Sequence, residues 1–156
     1  MLEKGESYLI KAKTPQEACP FFVKHSKNCL SLIVSRTAPK KICKELDGKH
    51  VKFIWLTHSK TDEEHTKPHE VEQISYDIEN FMRQYENSII FFTGIEYMMS
   101  FTSFKEVYHL IQNLKDVASQ TGAILVCYIG IKTLDEKEEN LIEQELTLIG
   151  GENEKS

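Results

Sequence analysis

Polar side chains that could do chemistry stand at or just after the ends of short apolar runs: Arg36, His58, Thr93 and Glu96. If these runs are strands of a parallel sheet, their carboxyl ends meet at one edge, where sheets of this class bind ligands. A carboxylate, an imidazole and a permanent cation at that edge would suit a hydrolase or a transferase. The alternative is structural, with Arg36 and Glu96 pairing to fix their loops. The residues alone leave both interpretations open.

The motifs of common catalytic classes do not accompany these residues. No G-x-S-x-G elbow frames Ser35, and neither G-x-x-x-x-G-K-[ST] nor G-x-G-x-x-G occurs in the sequence. The position expected for a phosphate loop, after the first predicted strand, reads KAKTPQE over residues 11–17. We therefore predict a fold without a visible reaction, with no cofactor and no enzyme activity.

A connection rich in histidine and acidic residues follows the third apolar run. His58, His65 and His69 could supply nitrogen ligands to a divalent metal. Pro68, however, interrupts the helix that would place His65 and His69 on one face, and no H-E-x-x-H motif occurs. The expectation is a solvated polar loop without a metal.

The connection after the fourth apolar run carries large apolar residues where polar ones are usual: Tyr97, Met98, Met99 and Phe101. They could close the top of the core. Alternatively they form an exposed patch that binds another protein, since methionine adapts to irregular partner surfaces. We take these residues as a candidate docking surface.

Composition narrows the classes of partner. The formal charge of -5 argues against nucleic acid, because phosphate contacts need a concentrated basic face. The sequence has no apolar run of the ~20 residues that cross a bilayer and no signal peptide at its start. We expect a cytoplasmic protein with a protein partner, and docking on a membrane-associated complex stays open.

The four cysteines, Cys19, Cys29, Cys43 and Cys127, occur singly, without C-x-x-C or paired zinc-ligand spacing. A cytoplasmic location would keep them reduced. Cys19 and Cys127 fall on patterns typical of buried positions, where a thiol behaves as a small hydrophobe.

Five apolar runs of strand length alternate with helix-period segments, at residues 8–10, 30–34, 51–56, 89–92 and 124–128. This alternation is typical of a three-layer α/β/α fold with a mostly parallel sheet, RecA-like or flavodoxin-like. Trp55, in the third run, is expected in the core with a buried acceptor for its indole N–H. We predict a single domain over residues 1–149 and a disordered tail over 150–156.

Three helix starts carry the same capping pattern, a Thr or Ser followed three residues later by Glu: Thr14/Glu17, Ser103/Glu106 and Thr133/Glu136. The helix that starts at Ser103 is expected to stop at Gly122. The last helix is expected over residues 134–148.

Five ordered segments resemble DUF835, a family of archaeal domains of unknown function: residues 5–10, 32–36 with Pro39, 54–56, 94–97 with Phe104, and 134–136 with 143–146. The resemblance implies a RecA- or KaiC-type ATPase core that has lost its phosphate loop. Members are usually modules attached to membrane segments or to signalling domains. The family's D-G-[IV]-E-Y pattern is T-G-I-E-Y here, so Thr93 replaces the residue that would best hold magnesium.

These observations favour a non-catalytic regulatory or accessory protein that docks on a larger complex. A nucleotide- or metabolite-binding module without hydrolysis is the first alternative. An enzyme that uses Arg36, His58 or Glu96 is the second.

Overall fold

The computed structural model of the chain describes residues 2–46 and 50–149. Within them, strands are β1 (Ser7–Ala12), β2 (Leu30–Ser35), β3 (Val51–Leu56), β4 (His65–Thr66), β5 (Ser88–Phe92), β6 (Ile124–Gly130) and β7 (Thr147–Leu148). Helices are α1 (Pro15–His25), α2 (Pro39–Ile42), α3 (Val71–Gln84), α4 (Ile95–Met99), α5 (Phe104–Thr121) and α6 (Glu136–Glu145). The predicted tail, residues 150–156, lies outside the described residues.

All strand pairs are parallel, and the sheet order is β4-β3-β2-β5-β6-β1-β7. The predicted three-layer α/β class is therefore correct. The sheet has seven strands in the described residues rather than the five predicted, because β4 and β7 are two-residue strands at its margins. Two residues are too short to show the apolar periodicity from which strands are predicted.

The sheet is covered by helices on both faces, which is why its central strands are almost wholly apolar. Residues of α3, α4, α5 and α6 share one core cluster with one face of the sheet, and residues of α1 and α2 share a second cluster with the other. Every residue of β5 and of β6 is buried. The helices and the sheet thus fix the positions of the strand ends at which a site would lie.

Capping residues set the helix boundaries. Ser103 accepts a hydrogen bond from the Glu106 amide at the start of α5, and Gly122 ends that helix in the left-handed region, as predicted. The last helix differs from the prediction, because its capping box is formed by Asp135 and Glu138, and the chain after Glu145 turns into β7. Thr133 does not cap it; its hydroxyl bonds elsewhere, as described below.

The expectation of reduced cysteines is wrong for one pair. Cys19 of α1 and Cys43, directly after α2, form a disulfide with a Cα–Cα distance of 5.6 Å. Cys127 is free and buried, and Cys29 is free and half-buried. The pairing was not predictable from spacing because the two cysteines are 24 residues apart and meet only when α1 and α2 cover the same face of the sheet.

Candidate functional site

The turn after β5 is built around Thr93 and Gly94. Thr93 is buried, and its backbone N–H and its hydroxyl both point at the carbonyl oxygen of Val34, at 2.8 and 2.9 Å. Gly94 has a φ of +81°, and a Cβ on it would lie 2.9 Å from Leu56 Cδ1. The turn therefore needs glycine, and the Thr93 hydroxyl extends the sheet pairing rather than facing a ligand.

Glu96 joins the start of α4 to the end of β6. Its Oε2 accepts hydrogen bonds from the Gly130 amide at 2.6 Å and the Thr133 hydroxyl at 2.7 Å. Gly130 ends β6 and Thr133 lies in the loop that leads into α6, so the carboxylate fixes the start of that loop. The pairing of Glu96 with Arg36 that the sequence left open does not form, since the Arg36 guanidinium lies over the Tyr97 ring instead.

Two carboxylates, Glu96 and Glu17, lie near the ends of β6 and β1. The Tyr128 hydroxyl donates to the carbonyl oxygen of Ala12 at 2.9 Å, which joins β6 to β1. Burial, and then the charges of Glu96 and Glu17, raise the pKa of Tyr128 well above its ordinary value. Tyr128 is therefore a neutral hydrogen-bond donor, and the carboxylates close to it disfavour an anionic ligand.

Five side chains form a continuous stack at the carboxyl edge of the sheet, which we call the aromatic ladder: Arg36, Tyr97, Phe101, His58 and His69. The Arg36 guanidinium carbon lies 4.5 Å from the Tyr97 ring centre, a cation–π contact. Ring centres are 5.2 Å apart for Tyr97 and Phe101, and 4.8 Å apart for Phe101 and His58, both edge to face. The ring nitrogens of His58 and His69 approach to 3.4 Å.

The ladder is exposed. Phe101 is 47% accessible, one of the few large apolar side chains so exposed among the described residues. Arg36, His58 and His69 are exposed as well, and Tyr97 is half-buried. The fold thus brings four of the predicted site residues together, because β2, β3 and β5 end at the same edge.

The candidate docking surface needs one correction. Residues 95–99 form α4 rather than an irregular loop, and Met98 is fully buried in the core beneath it. Met99 is half-buried and packs against the same core. Met98 therefore belongs to the core and not to a surface, whereas Tyr97 and Phe101 remain on the accessible side.

The start of α1, where a phosphate loop would lie, is closed by its own side chains. Thr14 accepts a hydrogen bond from the Glu17 amide at 3.2 Å, and Glu17 Oε1 accepts one from the Lys13 amide at 3.0 Å. The Glu17 amide is one of the groups that can hold phosphate at a helix N-terminus, and Thr14 already caps it. The Glu17 carboxylate takes the Lys13 amide, which lies just before the helix.

The histidine-rich connection does not gather metal ligands. Across residues 2–46 and 50–149, no group of three or more His, Cys, Asp or Glu side chains is arranged to hold a metal ion. His65 contacts the carbonyl oxygen of Glu63 at 2.9 Å, away from the His58–His69 pair.

Two further residues of the site are missed by reasoning from sequence. His69 stands among the candidate metal ligands, yet it forms the end of the ladder. Trp55, expected in the core, is half-buried, and its indole N–H donates to the Arg36 carbonyl oxygen at 3.1 Å. The cause is that the short helix α2 covers β3 only in part, and no periodicity in the sequence reveals this.

The described residues thus define a three-layer α/β protein with an all-parallel sheet and a polar and aromatic carboxyl edge. The chain belongs to the family described as Protein of unknown function (DUF835), whose model matches residues 12–146. No curated protein matches the chain.

Solved structures show the same fold. The flagellar accessory protein FlaH from Methanocaldococcus jannaschii is 13% identical with a TM-score of 0.60, over 95% of this chain and 71% of that one. A protein from Pyrococcus horikoshii OT3 is 15% identical with a TM-score of 0.60, over 93% of this chain and 81% of that one. At such identities the likeness establishes the fold alone. In the described part of the chain, no helix combines the length and apolarity needed to cross a membrane.

Proposed function

We propose that this chain is a non-catalytic accessory protein that docks on a larger protein complex through the aromatic ladder. The observation that carries the proposal is the exposed ladder itself, which stands at the carboxyl edge of the sheet, where this fold class places its binding sites. Tyrosine, phenylalanine and arginine are enriched in the cores of protein interfaces.

The ladder is preorganised for docking. Phe101 contacts Tyr97 on one side and His58 on the other, so its ring is held although it is 47% exposed. A side chain that is already fixed loses little conformational entropy when a partner covers it. An anchor of this kind can contribute much of the binding energy of an interface.

The absence of catalysis is part of the proposal. Thr93 and Glu96, the two polar groups nearest the ends of β5 and β6, are both engaged in hydrogen bonds within the protein. The alternative of an enzyme that uses Glu96 would have to break two of these bonds before the carboxylate could act as a base.

The alternative of a nucleotide- or metabolite-binding module has less support. Thr14 caps the Glu17 amide of α1, the Glu17 carboxylate takes the Lys13 amide before the helix, and the charges of Glu96 and Glu17 both raise the pKa of Tyr128. A triphosphate at this edge would meet carboxylates where phosphate-binding proteins present amides and a lysine.

The proposed setting is cytoplasmic and regulatory. FlaH, whose fold this chain shares, is named a flagellar accessory protein, and we propose an accessory role for this chain by analogy of fold. Docking on a membrane-associated complex agrees with this setting.

Replacement of Phe101 by Asp tests the docking surface. It places a charge in the middle of the ladder without changing the core, so we expect partners to be lost while the domain stays folded. The measurement is quantitative affinity purification from native cells, with circular dichroism to check folding. The matched control is Tyr76→Asp, since Tyr76 is a 63% exposed aromatic residue on α3. An identical set of partners for Phe101→Asp, Tyr76→Asp and the unmodified protein would refute the proposed surface.

A further inference from the structure

The Cys19–Cys43 disulfide connects two helices of very different size. Cys19 lies within α1, a helix of 11 residues, whereas Cys43 follows directly after α2, which has four. Both cysteines are at most 2% exposed and lie in the core cluster on the α1–α2 face. The bond therefore attaches a single helical turn to a stable element.

One of the two sulfur-bearing residues can be approached from outside. A surface cleft of about 400 Å³ has Cys43 among its lining residues, together with Lys40, Lys44, Leu46 and Phe53. Cys19 does not line this cleft. The cleft therefore leads to Cys43 rather than to Cys19, although Cys43 itself is only 2% exposed.

The cleft suits a thiolate. Two exposed cations, Lys40 and Lys44, and one carboxylate, Glu63, line it, so positive charge predominates, and positive charge lowers the pKa of a thiol and stabilises its anion. Leu46 and Phe53, both half-buried, provide an apolar wall for the carbon skeleton of a dithiol.

The short helix that precedes Cys43, α2, has little local support. Ala38, at the N-cap of α2, makes no side-chain capping hydrogen bond, and a single turn has little helical stability of its own. Short elements of this kind open locally at a small fraction of the global unfolding free energy. Opening would expose Cys43 Sγ to the cleft.

We propose that Cys43 is a site of thiol–disulfide exchange with a dithiol, and that the exchange controls the position of Arg36 in the aromatic ladder. The exchange does not depend on the proposed docking role; only its consequence for partner binding rests on it. In a cytoplasmic protein, a disulfide is usually transient or redox-sensing, which agrees with this assignment.

The dithiol supplies the two electrons that reduce the Cys19–Cys43 disulfide. Its thiolate attacks Cys43 Sγ, a mixed disulfide forms, the Cys19–Cys43 bond breaks, and Cys19 leaves as a thiolate that takes a proton from water. The reduced Cys19 thiol has an acceptor in place, since its Sγ lies 2.8 Å from the carbonyl oxygen of Ile42. The second thiol of the reagent then displaces Cys43, so the dithiol loses two electrons and the protein gains them.

Reduction of the disulfide affects Arg36 because only a short segment of chain separates Arg36 from α2. Arg36 and the start of α2 at Pro39 are separated by Thr37 and Ala38 alone. The carbonyl oxygen of Arg36 accepts a hydrogen bond from the indole of Trp55, and its guanidinium stacks on Tyr97. When α2 is no longer tied to α1, this segment gains freedom, and both contacts of Arg36 weaken.

Counting thiols tests the first step. The full chain, purified without reductant, is treated with dithiothreitol under native conditions, then alkylated in denaturant and weighed. We expect two alkylated cysteines before treatment and four after it, with the new labels on Cys19 and Cys43. Four labels before treatment, or a disulfide that dithiothreitol reduces only in denaturant, would overturn the proposal.

The role of the cleft is tested by the rate of reduction. Lys40→Glu places a negative charge beside the attacking thiolate and should slow reduction at low ionic strength by a factor on the order of 10. Lys41→Glu, on the same turn but outside this cleft, is the matched control and should change the rate little. Equal slowing by both variants would show that the cleft does not guide the reagent.

The fluorescence of Trp55 measures the second step, the change at Arg36. No partner is needed, because Trp55 is the single tryptophan of the chain. Reduction should shift its emission to longer wavelength, Cys43→Ser should show the shifted spectrum already, and Cys29→Ser should respond like the unmodified protein. An emission unchanged by complete reduction would refute the link to Arg36. This readout separates the inference from the docking proposal, which is tested by the partners of Phe101→Asp.

Discussion

Gly94 combines a left-handed backbone conformation with a crowded Cβ position. Its φ of +81° favours glycine, and an added Cβ would lie 2.9 Å from Leu56 Cδ1. Gly122 has a φ of +84° with no atom within 4 Å of an added Cβ. Substitutions at these two glycines therefore distinguish the free-energy cost of the left-handed backbone from the cost of crowding a neighbouring side chain.

We expect Gly122→Ala to lower the free energy of unfolding by about 1–2 kcal/mol, the cost of the left-handed conformation. Gly94→Ala should cost roughly 1–3 kcal/mol more, because a buried side chain must move to accommodate the methyl group. Urea denaturation of the two variants measures the difference. Equal losses would mean that Leu56 moves away at no cost.

Met98 and Met99 are chemically identical neighbours with different surroundings. Met98 is completely buried, so Met98→Ala should cost about 2–5 kcal/mol through the lost contacts and the cavity left behind. Met99 is half-buried, and Met99→Ala should cost about 1 kcal/mol. The midpoints of urea unfolding compare them. A larger loss at Met99 would reverse the assignment of core and surface made for α4.

At the scale of elements, the contact between α5 and α6 depends on Glu145. Its carboxylate accepts hydrogen bonds from Gln112 at 3.0 Å and Tyr108 at 3.1 Å, and Lys115 lies 3.5 Å away. The Gln112 hydrogen bond, opposed by burial and assisted by Tyr108 and Lys115, lowers the pKa of Glu145. The stability that this carboxylate contributes is thus present above its unfolded-state pKa and is lost as the pH falls through its folded-state pKa.

Glu145→Gln should therefore reduce stability most at neutral pH, and its difference from the unmodified protein should shrink as the pH falls below about 4.3, the ordinary value for glutamate. Thermal unfolding from pH 3 to 7 measures that difference. Glu136→Gln, an exposed glutamate in the first turn of the same helix, is the control and should show a weaker dependence. A difference independent of pH would contradict the pKa assignment.

The elements that local chemistry specifies are the ones that could be predicted. Ser103 and Gly122 bound α5 because each satisfies backbone groups of that helix by itself. Thr133 has the same capping chemistry as Ser103, yet Asp135 caps α6, and the Thr133 hydroxyl instead donates to Glu96 from a distant part of the chain. The aromatic ladder and the disulfide likewise join residues far apart in sequence, so only the assembled sheet reveals them.

At the scale of the whole molecule, the carboxyl edge combines an exposed aromatic stack with carboxylates at its strand ends. We expect Mg-ATP at millimolar concentration to leave the melting temperature unchanged, because Thr14 already caps the Glu17 amide of α1 and the Glu17 carboxylate holds the Lys13 amide just before the helix. A ligand at a hundred times its dissociation constant would stabilise the fold by about 2.7 kcal/mol, which a thermal shift assay detects readily. A clear rise with Mg-ATP would contradict the proposed loss of nucleotide binding.

The margins of the sheet carry a last consequence. Both outermost strands in the described residues, β4 and β7, have only two residues, so neither offers a row of free backbone groups long enough to template another chain. At the β4 margin, the backbone that another strand could pair with lies instead on β3, because β4 pairs only with Trp55 and Leu56 and leaves residues 51–54 uncovered on that side by any described strand. Addition of a strand at that margin is therefore confined to a four-residue stretch.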